Sequence, residues 1–405
     1  MHRTAHSPRA TTPTTPHSPE CPGTTRTPAS RGDSALDRRI AALDRTNRVP
    51  AWWQPLHEAA GSDSVFLSAT WMRTWVGIYG ADFRGSWVHW EVDGQVVAGC
   101  LLVERVVWVS NIPFRSLYLN ATGHAIEPTP LAEFNDVLHL PGHRDAVVAD
   151  LARLMQERSW GRLVLCGHEQ RSAAASLPGI LGGAQTEQFS KPSPYADLAA
   201  LGERAFASTL TGKAGTQVRR NQREFEQRLG EITVRRAADL PEALAFFAEM
   251  RELHLARWHS LRKTTSMSAR AVVAFHRRLI EALFDSGRVE MLRVGSAEQP
   301  IGFLYNFVMR GKVSMFQSGF AYEPSSKWSP GLLTHAMAIE HYRSRGLREY
   351  DFLSGDAQYK RTLSNGVREL AWTTVYRDTA WMRLLLRGRR LRKRFARPQP
   401  APPTA

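Results

Sequence analysis

The stretch Tyr350-Asp351-Phe352-Leu353 sets a carboxylate inside an aromatic strand pattern, and Ser354-Gly355-Asp356 and Tyr359-Lys360 follow directly. A carboxylate in such a strand is either paired or able to take a proton, and a tyrosine hydroxyl can return one to a leaving group. Asp351 is therefore a candidate base and Tyr359 a candidate acid, with pairing of Asp351 to Lys360 or an arginine, and packing of Tyr359, as the competing uses. Upstream, Gln317-Ser318-Gly319-Phe320 precedes Ser329-Pro330-Gly331-Leu332. Ser329 suits a helix N-cap, Pro330 the first helical turn, and Gly331 a close approach of a ligand; free amides there attract an anion. His254 and Trp258 share a helix face by their spacing and, with Arg257 and the later Phe275-His276-Arg277, suit the lining of an acceptor cleft. Arg219, Arg220 and Arg223 form a further basic patch that reads as a solvated helix face.

These residues need elements to hold them. The first half predicts a helix around 71–79, a hairpin of strands 86–92 and 96–109 about Asp93-Gly94, a strand at 134–140, a helix at 144–158 and a strand at 162–166. Residues 177–194, with glycines and prolines, read as a linker. The second half predicts helices at 215–229, 241–259 and 269–285, then strands at 289–294, 301–310 and 313–320 with Gly311-Lys312 as a turn. A helix at 332–345 and a strand at 348–353 complete an α+β plan, a mixed sheet with flanking helices in each half.

At 405 residues the chain suits two domains plus tails, and 43% hydrophobic content is that of a packed protein. No segment is apolar enough to span a bilayer and the first thirty residues lack a secretory core, so a cytoplasmic protein is expected. Three cysteines, Cys21, Cys100 and Cys166, support neither a disulfide framework nor a thiolate metal site. The net charge of +15 is concentrated: residues 383–397 hold eight Arg or Lys and no acid, and the first 35 residues are net +2, which leaves five for the body. A dedicated nucleic-acid binder is not indicated. Residues 1–35, rich in Pro, Thr and Ser, read as a disordered leader, and 381–405 as a basic amphipathic tail that docks by its leucines or lies on an anionic surface or RNA. Phosphate-binding P-loops, dinucleotide fingerprints, zincin helices, nucleophile elbows and EF-hand loops are missing from the sequence.

The run Phe316 to Phe320, Tyr322-Glu323, Ser329 to Leu332, Ala338-Ile339-Glu340, Tyr350 to Asp356 and Tyr359-Lys360 resembles the CelD/BcsL-type branch of the GNAT acyltransferase superfamily. Leu119-Asn120 to Gly123 and Glu133-Phe134-Asn135 resemble its first-half motifs, and His254 to Trp258 with Phe275-His276-Arg277 its middle. The resemblance covers about residues 60 to 380. It implies two tandem GNAT-like lobes, at 50–195 and 196–380, similar to Fem-type aminoacyl-transferases. It also implies transfer of an acyl group, most simply acetyl from acetyl-CoA or another acyl-CoA as co-substrate, to an amine of a small molecule or saccharide precursor, without a metal. In that reading Asp351 or Asp356 is the base and Tyr359 the acid. Gln317, Ser318, Ser329, Gly331, Leu332 and Lys360 bind the donor, and His254, Arg257, Trp258, His276, Glu133 and Asn135 line the acceptor site. The usual pyrophosphate loop is reduced to one glycine, Gly331, which opens two alternatives: a Fem-like transferase taking aminoacyl-tRNA, or a catalytically inactive scaffold of a polysaccharide-synthesis machine.

Overall fold

The computed structural model describes residues 35–43, 46, 48–109, 111–122, 130, 132–210, 212–322 and 328–395. The expected leader, apart from its last residue, the proline-rich end, Gly123 and Glu323 lie outside them. Setting aside short 3-10 turns, the chain writes one order of elements twice. The first series is β1 (Asp37–Ala42), α1 (Trp53–Ala59), α2 (Ala69–Tyr79), β2 (Arg84–Val92), β3 (Gln95–Val109), β4 (Ile112–Leu119), a two-residue β5 (Leu138–His139), α3 (Arg144–Glu157), β6 (Arg162–Glu169), α4 (Leu177–Leu181) and β7 (Gln185–Asp197). Two helices intervene, α5 (Phe206–Thr209) and α6 (Gly212–Leu229). The second series is β8 (Thr233–Arg236), α7 (Leu240–Ser260), α8 (Arg270–Leu283), β9 (Val289–Gly295), β10 (Pro300–Met309), β11 (Lys312–Phe320), α9 (Pro330–Ser344), β12 (Glu349–Asp351), α10 (Gln358–Leu363) and β13 (Gly366–Tyr376), and α11 (Ala380–Phe395) follows. Apart from β5 the two series correspond element for element.

All the strands join one mixed sheet in the order β1-β2-β3-β4-β6-β13-β7-β12-β11-β10-β9-β8, with β5 beside β3. Its strand pairings are antiparallel except β4 with β6 and β11 with β12. The last strand of each series is exchanged: β7 pairs with β12 of the second series and β13 with β6 of the first, and the two lie side by side along all of β13. The fold is thus the expected α+β type, two tandem lobes of largely antiparallel sheet flanked by helices. One face buries a core shared by both lobes, built from Trp53, Trp71 and Trp75 of the first with Phe247, Phe275 and Phe303 of the second. On the other face α3 covers the first lobe, and α9 the second.

Local chemistry explains where elements stop. Asp93-Gly94 and Arg310-Gly311 take positive φ, the backbone that joins hairpin strands; the second turn lies one residue earlier than expected and Lys312 is the first residue of β11. The expected linker is instead α4 and the 13-residue β7. Its prolines are tolerated because Pro192 and Pro194 face the side where the chain after β12 has left the ladder, and their carbonyls still accept from Gly355 and Phe352. The strand expected at 134–140 shrinks to Leu138–His139, since Phe134 has φ of 50°. Both β4 and β13 are strands that the periodicity reading did not identify.

Candidate active site

The two strands that carry the chemistry-bearing segments pair only briefly. β11 and β12 run parallel through Lys312↔Glu349, Val313↔Tyr350 and Ser314↔Asp351, and there the ladder ends while β11 continues to Phe320 against β10. The β10–β11 register slips between Tyr305/Gln317 and Asn306/Met315, so Phe316 is an extra, bulged residue just past the last β12 pair. Phe316, Gln317 and Ser318 are half-buried in a strand that is otherwise buried from Lys312 to Met315 and again at Gly319 and Phe320. A gap lined by backbone of one strand and the turn after the other therefore opens beside β11.

Close packing fixes the floor of this gap. A Cβ on Gly319 would sit 2.1 Å from the Met250 carbonyl oxygen, so only glycine lets α7 lie this near β11. His254, one turn further along α7, has both ring nitrogens engaged: Nδ1 lies 3.1 Å from the Ser318 carbonyl and Nε2 2.9 Å from Thr265 Oγ1. Nδ1 must donate to a carbonyl, so Nε2 accepts from the threonine, and burial pushes the imidazole's pKa down. Trp258 packs against this ring and Arg257 lies 4.4 Å over the ring of Tyr322. His254, Arg257 and Trp258 thus stand together beside β11. His276 does not join them: it is enclosed by Phe247, Phe275, Tyr305 and Phe316, and burial takes its pKa down to about 3. It meets core rings and is 1% exposed, which removes it from a cleft surface.

The wall formed by the turn after β12 is held by three buried charges. Asp351 is fully buried; its Oδ1 accepts from the Leu353 amide (2.7 Å) and from Ser193 Oγ (3.2 Å), and its Oδ2 from Arg368 (2.8 Å) beside the Lys312 ammonium at 3.2 Å. Both oxygens are already engaged, so the geometry gives Asp351 the paired use. Lys360 donates to the carbonyls of Phe352 (2.8 Å), Leu353 (3.1 Å) and Ser354 (2.8 Å). An ammonium has three protons, so none remains for a phosphate, and the expected donor contact becomes an anchor of the turn. Burial pulls its pKa down to about 8 against the opposing pull of Glu133 and Asp351. Glu133, from the first lobe, accepts the Ser354 amide (2.8 Å) and hydroxyl (2.5 Å). Burial raises its pKa and those two hydrogen bonds lower it. Asn135 is farther back: its Nδ2 donates to the Leu119 carbonyl and its Oδ1 accepts from Asn120, tying the loop before β5 to the sheet. Glu133 and Asn135 therefore position backbone, and neither presents a free group. Positive φ at Leu353 (58°) marks the bend these contacts hold.

Tyr359 follows on α10. Its ring stacks on His335 at 4.7 Å and 4°, and no described residue hydrogen-bonds its hydroxyl; burial raises its pKa, so it stays protonated. His335 was not singled out in the sequence. It lies on the buried side of α9 with Nδ1 3.1 Å from the Tyr350 hydroxyl, and Nε2 buried without a partner among the described residues. Burial, then the Lys360 charge, takes its pKa down to about 3, so the imidazole under Tyr359 is neutral. Asp356 is the exposed carboxylate, 62% accessible and paired with Arg361.

At the other end of the gap α9 begins as expected: Ser329 is the N-cap position with non-helical angles and Pro330 is in the first turn, but the Ser329 side chain caps nothing. Pro330 lacks an amide and Leu333 already donates to the Ser329 carbonyl, so Gly331 and Leu332 supply the two amides left over. Gly331 packs closely: a Cβ there would stand 3.1 Å from the Phe320 ring, which would have to give by a few tenths of an ångström. Leu332 is core. Gln317 turns its Oε1 to the amide of Ser318 (3.0 Å). Asn221 of α6 donates to the Ser329 carbonyl at 3.4 Å, and beside it lies a polar cleft of about 520 Å³ lined by Lys213, Thr216, Gln217, Arg220 and Glu224.

Residues 212–361, from the start of α6 into α10, match the family described as Acetyltransferase (GNAT) domain. No curated protein matches the chain. Among solved structures it is similar to L-PGS from Bacillus licheniformis (14% identity, 86% of this chain and 98% of that one, TM-score 0.49). It is also similar to FemX (11%, 74% and 90%, 0.47) and to a tandem GNAT protein from the clavulanic acid biosynthesis pathway (11%, 84% and 98%, 0.42).

Proposed function

We propose that the chain is an acyltransferase whose acyl-thioester donor, most simply acetyl-CoA, enters between β11 and β12 and whose acceptor is an amine of a small molecule or saccharide precursor. The observation that carries this is the early end of the β11–β12 ladder beside the bulge at Phe316. Unpaired strand edges offer amides and carbonyls to an extended ligand arm, and a bulge turns an amide toward a carbonyl placed there. The match of residues 212–361 supports the class of reaction.

In this reading the acceptor nitrogen attacks the thioester carbonyl carbon, the C–N bond forms and the C–S bond breaks. Tyr359 gives its hydroxyl proton to the departing thiolate, and the proton lost by the amine reaches solvent through Asp356, the one of the two carboxylates with accessible oxygens. Asp351, Lys360 and Glu133 act as positioning residues, holding the turn that carries Tyr359 into place. The Gly331 and Leu332 amides with the Ser329 hydroxyl receive a donor phosphate.

A second reading, an aminoacyl-tRNA donor, is favoured by the count of two amides at the start of α9. Thermal denaturation with acetyl-CoA, CoA, charged tRNA and uncharged tRNA separates the readings. A ligand at one hundred times its Kd adds about 2.7 kcal/mol, a shift of a few degrees. Stabilisation by CoA species that persists at moderate salt is expected. Stabilisation by charged tRNA alone transfers the site to the second reading, and no response to either leaves a scaffold.

A further inference from the structure

α11 carries two apolar stripes and buries one. Met382, Leu385 and Leu386 dock on Phe114 of β4 and Tyr376 of β13. Trp381 and Leu384 point away from that contact and are each 63% exposed. Leu391 and Phe395 continue the spacing of this second stripe in the sequence, seven and eleven residues beyond Leu384, with Gly388 between. The same sixteen residues contain seven Arg or Lys and no acid. Arg383 is paired with Asp378, whereas Arg387 is exposed with no ion pair among the described residues. Two of the large apolar groups that this protein leaves in water therefore lie on one exposed side of α11.

We infer that α11 seats the protein on an anionic phospholipid surface, with Trp381 and Leu384 entering the headgroup layer and Arg387 meeting a lipid phosphate. An apolar row flanked by cations is the pattern of a helix lying in the plane of a membrane interface, and each cation near an anionic leaflet adds to the attraction. No helix among the described residues is long and apolar enough to cross a membrane, so the contact is one of lying on the surface. An RNA would meet the arginines and leave the Leu384 row without a use. The inference holds whichever donor the site takes.

Co-sedimentation of the full chain with vesicles of phosphatidylcholine, and of phosphatidylcholine mixed with phosphatidylglycerol, tests it, with tryptophan fluorescence as a second readout. Expected are binding to the anionic vesicles at least about tenfold tighter than to the neutral ones, and a blue shift of the emission. The double variant Trp381→Ser, Leu384→Ser should weaken anionic binding by about tenfold or more, because each large side chain is worth about tenfold or more when fully buried. Its melting temperature should equal the wild type's, since both positions are exposed. Equal binding to both vesicle types, no binding to either, or a double variant that binds as the wild type does would overturn the inference. So would tRNA binding that the double variant weakens while vesicles are ignored, which gives the helix to RNA.

Discussion

Lys360→Met removes the ammonium that holds the carbonyls of Phe352, Leu353 and Ser354. Three carbonyl partners are lost at a buried site, each costing about 1 kcal/mol or more, so a loss of about 3 kcal/mol at neutral pH is expected. The pH dependence is more diagnostic. Burial lowers the folded-state pKa from the usual 10.5 to about 8. Between those values the unfolded chain keeps a proton the folded chain has shed, so the lysine's contribution to stability rises with pH across that window, to about 3 kcal/mol at most. Below pH 8 both states are protonated and the contribution is flat. Urea unfolding of wild type and variant from pH 7 to pH 10 therefore should show a stability gap that widens above pH 8 while other titrations cancel. A gap that is constant or narrows, or a variant as stable as the wild type, refutes a buried charged Lys360 as the anchor of this turn.

Tyr359→Phe should lower kcat by about tenfold to a hundredfold or more with an unchanged melting temperature, because the stack on His335 is kept and only the hydroxyl is lost. Asp351→Asn should cost about 3 kcal/mol of stability, since it removes the buried carboxylate that Lys312 and Arg368 share and leaves the two cations to Glu349. Asp356→Asn should leave stability within about 0.5 kcal/mol and reduce kcat. Equal stability losses in the two asparagine variants would contradict the division of roles. Gly319→Ala should fail to accumulate or lose more than about 3 kcal/mol, because its Cβ overlaps the Met250 carbonyl, while Gly179→Ala, with open space around it, should be neutral; thermal melts decide.

Much of the architecture was legible because the second series is written in strong local signals. Gly230 and Gly346 end helices at positive φ, and Ser329-Pro330 starts one, as their residue types dictate. The exchange of β7 and β13 was hidden because strand partners are a long-range property. Proline at 192 and 194 argues against a central strand unless the neighbouring strand is known to end early, and β12 is three residues long. In the candidate site the residue types are legible and their surroundings are not. Asp351 and Lys360 are chemistry-bearing residue types, but the partners that occupy them, Arg368, Ser193 and the bend carbonyls, are set by tertiary structure. His335 left no signal because α9 is buried on nearly every side, so its histidine breaks no amphipathic pattern.

The central claim is that the donor lies between β11 and β12. Hydrogen–deuterium exchange with and without saturating acetyl-CoA tests it most directly. The account predicts slowed exchange confined to residues 315–320, the amides of Gly331 and Leu332, and the turn from Phe352 to Tyr359. Protection located elsewhere, or an unchanged pattern under conditions where transfer proceeds, would contradict it.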